Sequence, residues 1–502
     1  MIRKALFFVL IFVLIFVLVS VLISVKTSPA SWQTVEDDWY GLTIADAKSG
    51  WLHTTLEEKG DLYRSTSTQQ LELSRGGVLI EIEVVNEFIE TKDGKPVSVH
   101  TVQAAMGQVS ESTWKFTDTE IEMTSVAGGA PVTNKMPLPK GDWMTPQVVD
   151  RYFKEQLIKG VSTIAYQTLS PELGPTVITV VLTKLSEGDR VVMGETKKVS
   201  TWKTENDAMP ITGIDSYDST GKKIETAMNA GFGEMKNILM SKQSAQSPVG
   251  EVPELMVTMF IEPDQKIPSD GSVRKIEMIA KSKDGRSVVF PTSGYQTATA
   301  NKDGSCTVVL DLDQPQVATA EEMSDPQYLA KTALCDGTDA VVITLAKQAV
   351  KNLPANASTF DRAEAMRAFV YQFITNKGFG NAFASASQVA RDPSGDCTEH
   401  GVLLCGLLRA SGIPSRGVMG VVYVSPDLAN FGKANGVFGW HFWSQALVDG
   451  KWMDFDATLS KQFNVGHIAS TTSSLKAESV NADMAGIMAF IGNTEIEVVK
   501  TG

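Results

Sequence analysis

The stretch Gly395-Asp396-Cys397-Thr398-Glu399-His400-Gly401 constrains this chain more than any other. An apolar run (Val402, Leu403, Leu404, Leu407, Leu408) follows at once, and Ser411-Gly412-Ile413-Pro414 stops it. The pattern predicts a buried helix with a sulfur at its first turn. Glycine supplies the C-terminal cap, and proline cannot continue the helix. Unpaired N–H groups and the macrodipole at a helix start favour a thiolate over a thiol. Such a sulfur is chemically useful only if the rest of the chain brings it a base and an acid to orient that base.

The N-terminus reads differently. Arg3 and Lys4 precede an apolar run from Ala5 to Val25, broken only by Ser20 and Ser24. As a helix this run would span about 31 Å, enough for a bilayer core. The positive-inside rule then predicts a cytoplasmic stub at 1–4, a transmembrane signal anchor at 5–25, and a polar tether at 26–38. The bulk of the chain is expected outside the cytoplasm, in the periplasm or at the cell surface. A cleavable signal near Pro29-Ala30-Ser31 is the alternative. With 45 basic against 58 acidic residues the net charge is −13, which disfavours nucleic acid as a partner.

The expected fold class is α+β, in three parts after the anchor. Residues 39–245 read as an all-β, strand-rich domain. Val78 to Val85 alternates and is β-branched, and Thr91-Lys92-Asp93-Gly94-Lys95 and Ser219-Thr220-Gly221-Lys222 are hairpin signals. One helix is expected from Pro146 to Lys159, with Thr145 as its N-cap. The linker Ser244 to Gly250 leads to a smaller β unit at 251–335, or to an elaboration of the first. From 336 to 502 helical periodicity takes over. Helices are expected near 339–351, 361–375 and 477–490, with strands from Arg416 onward and a closing strand at 494–500.

Two histidines compete as base for Cys397. His400 shares its helix, whereas His441 lies in the strand-like Gly439 to Val448 and can approach from across the core. Asp449-Gly450 is a two-residue turn signal. If it closes a hairpin, Gln445 faces Asp454, Trp443 faces Asp456, and His441 is the diagonal neighbour of Asp456. Register therefore prefers Asp456 as the orienting acid, with Asp454 second. The backbone N–H of Cys397 is the expected oxyanion donor, and Trp440, Trp443 and Trp452 are candidates to wall the site. Of the other cysteines, Cys306 and Cys335 are a candidate disulfide outside the cytoplasm, and Cys405 reads as a buried hydrophobe. No spacing suits zinc or a calcium loop, so neither metal nor cofactor is expected.

The segments around Cys397, Leu408-Arg409-Ala410-Ser411-Gly412-Ile413-Pro414-Ser415-Arg416, His441-Phe442-Trp443 and Trp452-Met453-Asp454-Phe455-Asp456-Ala457-Thr458 resemble the bacterial transglutaminase-like family. The resemblance implies a papain-like core with a Cys-His-Asp triad, which by motif would be Cys397, His441 and Asp456. His400 matches a position beside the family's cysteine that is not its base. Ala457 stands where proline is usual, and Phe442 where a small residue is usual. The implied activity is thioacyl chemistry at amide bonds of a protein or peptide substrate, with cross-linking if an amine accepts the acyl group. Hydrolysis as a peptidase or amidase, and a non-catalytic peptide-binding scaffold, are the alternatives.

Overall fold

A computed structural model describes residues 31–502, apart from 76, 106–107, 172–173, 209–211, 230–232, 255–259, 269–270, 379–383, 430 and 477–489. Among the described residues strand occupies 48% and helix 17%, so the expectation of an α+β fold is corrected to a mostly strand one. No helix among the described residues is long and apolar enough to cross a membrane. The anchor and membrane contact expected at 5–25 lie outside the described residues, as does the helix expected over 477–490 apart from its last residue. Strands dominate because the apolar residues alternate over most of the chain. Glu120–Ala127 buries Ile121, Met123, Ser125 and Ala127 and turns the intervening residues outward.

Fourteen antiparallel strands between Gln33 and Met240 form one sheet. It is a meander in two arms, joined where the first strand, Gln33–Ile44, pairs with both Ala47–Lys59 and the last, Glu234–Met240. The tether expected over 26–38 is thus too long, since Gln33 already enters a strand. The sheet buries several small clusters. In one of them the helix Pro146–Lys159 lays Phe153 against Tyr217 at 4.4 Å. Thr145 does not cap this helix with its own side chain. Instead the buried Glu90 accepts from the Gln147 N–H at 3.1 Å and from the Thr145 hydroxyl at 2.9 Å. A carboxylate at a helix N-terminus is the stronger partner for those donors.

Residues after 250 do not divide as expected between 251–335 and 336–502. Phe260–Ile261 pairs with Val437–Val448, in the sheet that also holds Ser415–Val424, His467–Ser473 and Lys451–Phe455. The closing strand Thr494–Thr501 joins the other small sheet instead, beside Lys275–Ser282. The cause is a shared core. Ile261, Ile276, Met278 and Val308 pack in one cluster with Val421, Phe438, Ile468 and Val498. Three helices, Ala340–Val350, Thr359–Phe373 and Ala386–Val389, surround the helix Cys397–Ala410, which is buried from Thr398 to Arg409.

Candidate active site

The helix that carries Cys397 begins there because Asp396 caps it. The Asp396 carboxylate accepts from the Thr398 N–H at 3.0 Å, and the Glu399 carboxylate returns to the Asp396 N–H at 2.9 Å. This reciprocal box fixes the start of the helix at the sulfur. Gly395 is required by the same device. At φ 140° a Cβ there would lie 2.3–2.6 Å from the Glu399 side chain. Glu399 is fully buried, and burial together with the nearby Asp396 pushes its carboxyl up to about 7.

The helix rests on the strand Val437–Val448 through two anchors. Ser444 Oγ donates to the Gly401 carbonyl at 2.9 Å. Ser415, the strand partner of Ala446, donates to the Cys405 carbonyl at 3.1 Å. One helical turn therefore advances with two strand residues, about 6 Å each. One turn back from Gly401 puts Cys397 at the level of Phe442, the strand neighbour of His441. Phe442, large where the resembled family is small, is accommodated by glycine. A Cβ on Gly401 or on Gly417 would come within 2.5 Å of its ring.

The turn at Asp449-Gly450 has both residues at positive φ, 49° and 76°, as a two-residue hairpin turn requires. Its ladder runs from Val448↔Lys451 through Gln445↔Asp454 to Ser444↔Phe455, where it stops. It stops because Asp456 turns the chain: its Oδ1 accepts from the Thr458 N–H at 2.8 Å and the Thr458 hydroxyl at 2.6 Å. Its Oδ2 lies 2.8 Å from His441 Nε2. Burial alone would raise the Asp456 carboxyl. The facing His441 and the hydrogen bonds of two imidazoles hold it well below the usual carboxylate range. An ionised carboxylate only accepts, so His441 carries its proton on Nε2 and its lone pair on Nδ1.

Asp454, the second candidate acid, is committed elsewhere. It accepts from Trp443 Nε1, Gln445 Nε2 and the Tyr295 N–H, each at 2.8 Å. Burial, the largest influence on it, leaves its carboxyl above its ordinary value. His400 is buried, its Nδ1 2.6 Å from the Asp396 carbonyl, and burial pulls its pKa down. Of the tryptophans, Trp443 lies beside the imidazole, ring centroids 6.1 Å apart, whereas Trp452 packs under Arg416 at 3.9 Å. The four cysteines are thiols, none in a disulfide. Cys306 and Cys335 belong to different clusters, which excludes the pairing considered for them. Burial raises the thiols of Cys306 and Cys405 and pushes Cys335 up to about 12, whereas Cys397 is only half-buried.

One residue of the site had no sequence signal. His467, in the strand His467–Ser473, reaches the same Asp456 Oδ2 with its Nε2 at 3.1 Å. Its Nδ1 is 3.1 Å from the Asn464 carbonyl. Nothing in the local sequence of His467 points to a partner eleven positions away across the sheet.

Comparison with known proteins adds to this geometry. No curated protein matches the chain. Among solved structures, a β-barrel-like protein of a domain of unknown function from Brucella abortus is 14% identical, covering 41% of this chain and 95% of its own, at TM-score 0.32. A proposed cysteine protease from Cytophaga hutchinsonii is 16% identical, covering 46% and 89%, at TM-score 0.28. The periplasmic domain of TgpA from Pseudomonas aeruginosa, bound to ethylmercury, is 15% identical, covering 40% and 88%, at TM-score 0.24. The profile of the transglutaminase-like superfamily matches residues 343–457, a span that contains Cys397, His441 and Asp456, so the chain carries a transglutaminase-like domain.

Proposed function

We propose that this domain belongs to a cysteine enzyme acting on amide bonds of a protein or peptide, with Cys397 as nucleophile, His441 as base and Asp456 as the orienting acid. The observation that carries the reading is the 2.8 Å contact of His441 Nε2 with the buried Asp456 carboxylate, at the level of a capped helix that begins with a half-buried thiol. Asp456 fixes the tautomer, so Nδ1 takes the thiol proton. The thiolate adds to the amide carbonyl, and the Cys397 N–H stabilises the oxyanion. Collapse breaks the C–N bond, the imidazolium returns its proton to the departing amine, and a thioester remains on Cys397. A second amine converts the thioester to a new amide, and water converts it to an acid. The acceptor therefore decides between transfer and hydrolysis.

The test is release of ammonia or amine from glutamine-containing peptides by the wild type and Cys397→Ala. Release is expected from the wild type alone. Equal release by the variant overturns the assignment and leaves the peptide-binding scaffold as the better reading.

A further inference from the structure

We propose that His441, Asp456 and His467 form a site for a divalent cation of the zinc type, and that its occupation withdraws the base from Cys397. The binding does not depend on the enzyme reading; its consequence for activity does.

Three ligand atoms, two imidazole nitrogens and one carboxylate oxygen, lie within 4.8 Å of one another. Two of the separations are 2.8 and 3.1 Å. Tetrahedral zinc with bonds of about 2.0–2.1 Å places its ligands about 3.3 Å apart. Two edges of that polyhedron are thus nearly formed, and small side-chain rotations complete it. The donors come from two strands and from the end of a third, so the backbone is fixed by the sheet.

The surroundings are those of a metal site. His467 Nδ1 faces the Asn464 carbonyl at 3.1 Å, an outer acceptor that would take the ring proton once Nε2 binds an ion. Thr458 occupies Asp456 Oδ1, so Oδ2 is the oxygen turned to the imidazoles. Without an ion, His467 Nε2 donates to Asp456 Oδ2 at 3.1 Å, and an ion would stand where that proton lies, as at His441. Two nitrogens and one oxygen suit zinc, copper or nickel rather than magnesium or calcium. Trp443 and Phe463 wall His467, with ring centroids 5.2 and 4.2 Å away. The His441 side chain remains 10% exposed, which gives the ion its entrance and a water as fourth ligand. On binding, the ion takes Nε2 of His441 and the ring proton moves to Nδ1, so the imidazole stays neutral and Nδ1 can no longer accept the thiol proton. The imidazole then no longer hydrogen-bonds to Asp456.

Titration calorimetry of the full chain with zinc chloride tests this. One ion per chain is expected in the wild type and equally in Cys397→Ala, with binding at least about tenfold weaker in His467→Gln. Chelation should restore any amidase activity that zinc removes. Zinc bound by His467→Gln as tightly as by the wild type overturns the site. So does zinc lost in Cys397→Ala, since the ion would then sit on the thiol. If His467→Gln does not fold, zinc-edge anomalous scattering from zinc-soaked Cys397→Ala crystals decides, and an ion anywhere but between these three residues refutes the site. Zinc binding without amidase activity refutes only the enzyme reading. Amidase activity without zinc binding refutes only the site.

Discussion

Phe442 lies where a Cβ on Gly401 would stand, 2.5 Å from its ring. The helix of Cys397 and the strand of His441 are therefore matched as a pair, an aromatic on one against a missing side chain on the other. Gly401→Ala should overpack this contact and cost about 1–3 kcal/mol. Phe442→Ala should leave a cavity costing about 3–5 kcal/mol. Combined, the two should cost less than their sum, by about 0.5–3 kcal/mol. Denaturant unfolding of the three variants measures the coupling, and strict additivity would show that the two residues do not share the space.

Thiol chemistry should single out Cys397. The other three thiols are buried and burial raises each of them, whereas Cys397 is half-buried at a helix start. Iodoacetamide at neutral pH should alkylate Cys397 well before Cys306, Cys335 and Cys405. Peptide mass mapping over time reads the order, and faster labelling of Cys405 contradicts the assignment.

Asp456→Ala should lower amidase turnover by about 10²–10⁴, because the imidazole loses its tautomer and its orientation. Asp454→Ala should act on the fold instead. It orphans Trp443 Nε1, Gln445 Nε2 and the Tyr295 N–H, at about 1–3 kcal/mol for each donor left buried. Stability and turnover measured on both variants separate the two carboxylates. A larger loss of turnover in Asp454→Ala, at matched folded fraction, reverses their roles.

Glu399 gives the fold a pH dependence of definite sign. Its carboxyl sits near 4.5 in the unfolded chain and is pushed up to about 7 in the folded one. Between these values the folded state binds the extra proton, so this contribution to stability falls as pH rises from about 4.5 to about 7. Asp456 works in the opposite direction at lower pH. Its folded value is depressed, so its contribution is present above the unfolded value and is lost as pH falls through the folded one. Denaturant midpoints across this range should show a weaker fall between pH 4.5 and 7 in Glu399→Gln than in the wild type. An unchanged profile rules Glu399 out as the source.

Local chemistry was legible in the sequence, and distant pairing was not. Asp449-Gly450 specified its turn through the backbone angles it tolerates, and that turn fixed the register leading toward Asp456. The start of the cysteine helix was written in Asp396 and Glu399, three residues apart. Thr145 stands at the N-cap position that the sequence suggested, but Glu90, fifty-five positions away, supplies the acceptor. His467 was invisible for the same reason. Its strand pairs with Ser415–Val424, and no periodicity records which strand will be its neighbour. The apolar alternation over 251–335 says that one face is buried, not against what, so its core with Val421, Phe438 and Ile468 had no local signal.

This shared core has a temporal side. The strand Thr494–Thr501 completes a sheet with Lys275–Ser282, which is synthesised roughly two hundred residues earlier. During synthesis Lys275–Ser282 waits with one edge unpaired, beside a core that still lacks Ile496 and Val498. The thiol helix and its histidine strand emerge in that interval. Synthesis thus delivers Cys397 and His441 before the strand that closes this sheet.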